Sequence, residues 1–265
     1  MASGAAPVTG TLVVEQVAPD APWAGCLASR FPVDAALVKA DWRRVGLDFT
    51  LPVHVTSAAA LAGRLAAADW GPGEGTADPG PRDIYTVRDA SGDTYRLTAL
   101  HLMTRELDHW LWISLWWSPE PDTDFGADRP ASITALGGSW RHYKMCTTVA
   151  FAESDPDPTG GYAGDHPDLA AALATVSRPG GPSWCSNPYL EVGHGDATTN
   201  CIGCHQHGGS FLTSATILEH PGQFPASGRT QLRNNFPADY SWQTDNGDRL
   251  GAMLRDEVEY WDPVP

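Results

Sequence analysis

The run HWLWISLWWS, residues 109–118, constrains the fold of this chain more than any other stretch. Successive side chains in an extended strand point to opposite faces, and here large apolar residues occupy both. They are Leu111, Ile113 and Leu115 on one face and Trp110, Trp112 and Trp116 on the other. A strand that is apolar on both faces must be covered on both sides. The run therefore predicts the central strand of a sheet.

Further β-rich runs lie on both sides of this strand. Residues 84–117 contain three such runs, separated by the turn-like DASGD and the tight polar TRELD, which predicts an antiparallel meander. The next candidate strand is WRHYKMCTTVAFAE, residues 140–153. With 27 Gly and 22 Pro in 265 residues, the elements are expected to be short and joined by many turns.

Helical patterns are short and lie outside the meander. Two precede it, 34–46 and 57–70, the second opened by Ser57 at an N-cap position. Two more are expected at 167–177 and 246–261. The fold class is therefore α+β, with an antiparallel β-rich region (meander or sandwich-like), short helices and a loop-rich C-terminal segment. The expected organisation is a flexible tail (1–22), a β-rich domain with two short helices (23–154) and a loop-rich segment with a C-terminal helix (155–265). The last two regions are either separate domains or one continuous domain.

The net charge of the chain limits the classes of partner that it can bind. A formal net charge of −15 arises from 32 acidic and 17 basic residues. No basic stripe is visible in the sequence, and phosphate binding needs clustered positive charge, so we expect no nucleic-acid partner. A partner with a basic docking surface would be attracted instead. The sequence contains no run of about twenty apolar residues, so no transmembrane segment is expected.

The strongest functional signal is TTNCIGCHQHGG, residues 198–209. Cys201 and Cys204 are spaced to form thioethers with the two vinyl groups of a porphyrin, and His205 follows directly, so its imidazole can reach the iron from one side. This interpretation gives every fixed position of the Cys-x-x-Cys-His pattern a role. The pattern predicts one covalently attached haem c.

Two other chemistries fit the cysteines less well. A zinc site would use Cys201 and Cys204 with two further ligands, but it lacks a second paired knuckle and leaves His205 without a required role. The further zinc ligands would come from Cys185, His194 or His207. A redox dithiol should open a helix after a strand, whereas the preceding GDATTN is turn-like. Haem attachment is the favoured interpretation.

On Cys201, Cys204 and His205 the sequence resembles the c-type cytochromes. The resemblance implies covalent haem c, His205 as proximal iron ligand and maturation outside the cytoplasm, hence a periplasmic or extracellular location. The opening residues MASGAAPVTGTLVVEQ lack the charged start and apolar run of a secretory signal. Small soluble cytochromes c carry a helix before the motif and a methionine after it. Here EVGHGDATTN is turn-like and Met253 falls in a predicted helix, so an ordinary small cytochrome c fold is not expected.

The second axial ligand separates the function classes. Met145 is the distal candidate that we single out, and the other candidates are Met103, His101, His142, His220 and Met253. A coordinatively saturated iron suits one-electron transfer with a redox partner protein, which is the expected function. An empty position would suit a haem enzyme acting on peroxide or a small nitrogen compound. A ligand-binding module, with the tryptophan-rich sheet holding a glycan or protein, is a third class.

Three cysteines and one acidic loop complete the candidate sites. In an exported protein, two of Cys26, Cys146 and Cys185 could form a disulfide, with Cys146–Cys185 as one pairing and three buried thiols as the alternative. The loop PEPDTDFGADRP could offer oxygen ligands to calcium, but it lacks the EF-hand spacing, so a solvated acidic loop is favoured. Its carboxylates are Glu120, Asp122, Asp124 and Asp128.

Overall fold

The structure is a computed structural model that describes residues 31–107, 110–149, 178–193, 195–205 and 262–263. The described part contains eight β-strands and three α-helices. The strands are β1 (Ala36–Arg44), β2 (Leu51–Pro52), β3 (Thr76–Ala77), β4 (Thr86–Arg88), β5 (Thr94–Thr104), β6 (Leu111–Trp117), β7 (Tyr143–Val149) and β8 (Asp262–Pro263). The helices are α1 (Ala58–Ala67), α2 (Ala131–Ala135) and α3 (Cys201–His205). Short 3₁₀ turns occupy Asp124–Gly126, Gly138–His142 and Asp196–Thr198.

The main sheet is antiparallel and is centred on β5 and β6. β7 pairs with β6, and β6 pairs with the second half of β5. β4 pairs with the first half of β5 and with β8. β1 pairs with β5 along nearly its whole length. β2 and β3 form a separate two-stranded sheet.

The predicted meander is confirmed as β4, β5 and β6. Asp89 shapes the first turn, because its carboxylate accepts hydrogen bonds from the backbone N–H groups of Ser91 and Asp93. β6 lies between β5 and β7, as the tryptophan-rich run predicted. All four tryptophans of this run are almost fully buried: Trp110 just before the strand, and Trp112, Trp116 and Trp117 within it. The expected strand in 140–153 is confirmed as β7, within the residues that the structure describes.

One predicted helix is wrong. Residues 34–46 contain β1 instead, which pairs with β5 from Ala36 opposite Thr104 to Arg44 opposite Tyr95. The local preference of Ala, Leu, Lys and Arg for helix is worth only a few tenths of a kcal/mol per residue, so tertiary pairing overrides it. The second helix is confirmed as α1, although Ser57 makes no side-chain hydrogen bond at its start.

Several sequence expectations lie outside the described residues. They are the tail 1–22, the helix 167–177, the helix 246–261, Cys26, His194, His207, His220 and Met253. The described residues on either side of the boundary expected near residue 154 contact each other: Asn187 hydrogen-bonds to Ser114 of β6, and Cys185 forms a disulfide with Cys146 of β7. Among the described residues, no helix has the length and apolar character needed to cross a membrane.

Candidate functional site

The Cys-x-x-Cys-His motif forms the short helix α3, and the residues before it are fixed by hydrogen bonds. Gly195 N donates to Ala68 O at 2.7 Å, which ties the preceding turn to the end of α1. Trp184 Nε1 donates to Thr199 O at 2.8 Å. Asn200 Nδ2 donates to Ser183 O at 3.0 Å. The motif therefore begins at a defined position although the segment before it has little regular structure.

A disulfide joins the motif segment to the sheet. Cys146 on β7 is bonded to Cys185, with their Cα atoms 5.3 Å apart, so the pairing considered from the sequence is confirmed. Cys201 N donates to Cys185 O at 3.2 Å, and Cys201 Sγ lies 3.5 Å from the same oxygen. A backbone hydrogen bond thus connects the first cysteine of the motif to Cys185, which is covalently bonded to β7.

Two side chains between the disulfide and the motif add further anchors. Asn187 Nδ2 donates to Ser114 Oγ at 2.8 Å and to Leu115 O at 3.0 Å, both on β6. Tyr189 Oη donates to Pro52 O at 2.6 Å, on β2. Because these bonds are largely buried, they hold the segment against both sheets.

A buried histidine packs against this anchor. The imidazole of His54 meets the ring of Tyr189 edge-on, with ring centroids 5.0 Å apart, and only 6% of His54 is exposed. Burial, which opposes the charged form, lowers the pKa of His54 to about 4. His54 is therefore neutral in the folded protein at ordinary pH.

We expect this histidine to make the fold sensitive to mild acid. Unfolded His54 gains a proton near pH 6.5, whereas the folded residue resists protonation until about pH 4. The unfolded state therefore binds more protons as the pH falls through this window, and His54 should cost the fold about 3 kcal/mol by its lower end. Urea unfolding of wild type and His54→Phe across this range measures the effect. Equal pH slopes for the two proteins would contradict it.

The apolar side of α3 packs on the sheet. Ile202 is buried in a cluster with Met103, Trp110 and Trp112, and the half-buried Cys201 lies at the edge of that cluster. Partly buried Phe31, Ala35 and Leu37 extend this apolar surface. The ring of His205 lies against Trp112, with centroids 4.5 Å apart and planes inclined by 46°. Cys201 and His205 are four positions apart, which places them on one side of the helix.

The register of the sheet decides which predicted distal ligand lies near the motif. Trp112 is paired with Met103 on β5 and Thr148 on β7, and paired residues share a face. Met103 is therefore on the face that carries α3. Met145 is three residues from Thr148 and is paired with Leu115, so it lies on the opposite face. The structure brings Met103 to the motif and does not bring Met145 there.

The candidate histidine ligands in the described part have other neighbours. His101 shares the face of Met103, and its Nε2 atom lies 3.1 Å from Glu191 Oε1. His142 lies in the 3₁₀ turn before β7, where Nε2 is 3.8 Å from Asp83 Oδ1.

The structure bears on the other metal candidates as well. Cys185 is consumed by the disulfide, so it cannot serve as a thiolate ligand in a zinc site. In the acidic loop, Asp122 is paired with Arg129 and Asp124 with Lys144. Burial acts to raise the pKa of Asp124, but hydrogen bonds from Lys144 and Thr56 outweigh it and hold this pKa below its usual value. Within the described ranges, no three His, Cys, Asp or Glu side chains are grouped closely enough to hold a metal ion.

Sequence reasoning missed the contact between His205 and Trp112. It also missed two buried polar atoms in the same region, Trp110 Nε1 and Thr148 Oγ1, which have no hydrogen-bond partner among the described residues. The sequence predicts burial of the tryptophans as a group, but nothing local to β6 indicates which of them contacts the motif.

Comparison of the chain with protein-family models, curated proteins and solved structures gives no match. The motif and the contacts of its residues therefore carry the information on function.

Proposed function

We propose that this protein is an exported monohaem c-type cytochrome that carries out one-electron transfer. Cys201 and Cys204 would be the covalent anchors and His205 the proximal ligand of the iron. The observation that carries the proposal is the arrangement of the motif: its first cysteine and its histidine lie on one helix, which is held by the Cys185 backbone and packs on a buried tryptophan.

The described residues fit a haem in their donor chemistry and in their surroundings. The Cys201 sulfur and the His205 imidazole lie on one side of α3, next to an apolar surface that includes Met103 and Trp112. The buried N–H of Trp110 has no acceptor among the described residues, and a haem carboxylate could supply one. When bound, haem c would supply a reversible one-electron couple at the iron.

The chain's own residues would set the conditions for that couple. The cluster around Ile202 excludes water from one side of the motif, and a low local dielectric strengthens electrostatic effects on a bound iron. Met103 is better placed than Met145 to hold the second axial position, because it shares the face and the apolar cluster of α3. A methionine in that position would saturate the iron and favour electron transfer over substrate chemistry.

Two properties support the cellular setting of the proposal. Disulfides such as Cys146–Cys185 persist mainly in oxidising compartments outside the cytoplasm, where haem c is also attached. The formal net charge of −15 favours a redox partner with a basic docking surface, since complementary charge speeds encounter.

The experiment that tests the proposal is expression with a haem-c maturation system, followed by a pyridine haemochrome assay of the purified chain. One haem per wild-type chain is expected. Cys201→Ala and Cys204→Ala should each reduce covalent attachment severely, because each removes one of the two proposed thioether anchors. His207→Ala is the matched control, since it removes a nearby histidine outside the motif and should retain one haem. Wild-type protein without covalent haem would contradict the proposal.

Carbon monoxide binding by the same reduced preparations separates electron transfer from the enzyme alternative. Wild type and Met145→Ala should bind carbon monoxide slowly or not at all, whereas Met103→Ala should bind it readily. Rapid binding by wild type would favour an open distal position and a haem enzyme. Equal resistance in all three proteins would exclude Met103 as the second axial ligand.

A further inference from the structure

The imidazole of His205, in the motif, and the indole of Trp112, on β6, form an aromatic ring contact. Their ring centroids are 4.5 Å apart and their planes are inclined by 46°, which is typical of a tilted aromatic pair. From this contact we infer that Trp112 is a positioning residue that fixes the plane of the His205 imidazole. The inference rests on the proposed function, because orientation matters only if His205 binds the iron.

Trp112 is itself held in place from several sides. It lies near the start of β6, with Met103 of β5 and Thr148 of β7 as its paired neighbours. Only 3% of its surface is exposed, and Ile202 of α3 belongs to the same buried cluster. An indole packed in this way cannot move aside without disturbing two neighbouring strands. It therefore offers His205 a fixed surface.

The helix that carries His205 is also fixed at its first residue. Cys201 N donates to Cys185 O at 3.2 Å, and Cys185 is bonded to β7. With the backbone held at one end of α3 and the ring held against Trp112 at the other, few orientations of the imidazole remain. Groups around a metal-bound histidine commonly set its orientation and tune the metal in this way. Trp112 would thereby influence the reduction potential without touching the iron.

The first part of the test uses the full chain without haem, so it does not depend on the proposed function. The ring protons of His205, identified by their absence in His205→Gln, should show a ring-current shift from the indole. Trp112→Leu should abolish that shift. Trp116→Leu is the matched control, because Trp116 lies on the same strand and face but contacts Phe125, with centroids 5.3 Å apart. A His205 signal unchanged by Trp112→Leu would overturn the inference.

The second part uses the matured protein. The haem methyl resonances of the oxidised form report the plane of the axial imidazole. Trp112→Leu should therefore change the spread of these resonances and shift the reduction potential. Trp116→Leu should leave both values near those of wild type. Trp112→Phe keeps a smaller ring and should shift both readouts in the same direction by a smaller amount. If Trp112→Leu fails to fold, Trp112→Phe replaces it in the test. Wild-type values for the Trp112 variants would overturn the inference. A wild-type chain that acquires no haem would contradict the proposed function instead. The first part of the test would still decide whether Trp112 contacts His205.

Discussion

Replacing Cys146 and Cys185 together by alanine is expected to lower the free energy of unfolding by about 4 kcal/mol. The disulfide closes a loop with a sequence separation of 39, and the chain entropy that such a link removes from the unfolded state accounts for this value. The same change should loosen the motif segment, because Cys185 O holds Cys201 N. Denaturant unfolding measures the loss of stability, and the haem content after maturation measures the loosening.

The double replacement is chosen so that neither partner of the disulfide is left as an unpaired thiol that could react with the motif cysteines. Cys26→Ala is the matched control and should leave both readouts near those of wild type. A double variant as stable as wild type would show that the disulfide contributes nothing to folding in solution. A lower haem content with an unchanged free energy of unfolding would show that the disulfide supports haem attachment and does not stabilise the fold.

Lys144→Met should lower the free energy of unfolding by about 3 kcal/mol. Lys144 is only 2% exposed, and its Nζ atom lies 2.8 Å from Asp124 Oδ1 and 2.9 Å from Thr56 Oγ1. Thr56 Oγ1 also donates to Asp124 Oδ1, at 2.8 Å. Removing the buried ammonium leaves the partly exposed Asp124 carboxylate without its counter-charge, and breaking an ion pair from one side only is the costly way to lose it.

A second variant distinguishes the lost charge from lost packing. Lys144→Met combined with Asp124→Asn removes both charges and should recover a large part of the stability. Arg43→Met serves as the exposed control, since Arg43 pairs with Asp41 at the surface and the change should cost no more than about 1 kcal/mol. Urea unfolding provides the three values. A single Lys144→Met variant with the midpoint of wild type would contradict the account of this pair.

The sheet was predictable where β-rich runs are separated by turn signals. Residues 84–117 contain three such runs, and they form β4, β5 and β6. β1 was not predictable in this way, because residues 34–46 favour helix locally and become a strand only through pairing with β5. Nothing within 34–46 reveals that partner, since the pairing joins residues far apart in the chain.

The candidate site was predictable in its chemistry and not in its surroundings. Cys201, Cys204 and His205 stand out by spacing alone, and spacing does not depend on the fold. The neighbours of the motif depend on sheet register: a shift of one residue would exchange the faces of Met103 and Met145. Their hydrophobic patterns in sequence are similar, so the choice between them needed the observed pairing of β5, β6 and β7.

The central claim is most directly tested by the intact mass of the chain after maturation, followed by mass mapping of its peptides. The proposal predicts a mass increase of one haem, carried by the peptide that contains Cys201 and Cys204 and resistant to acid extraction. A chain with unmodified cysteines and stoichiometric zinc would contradict it.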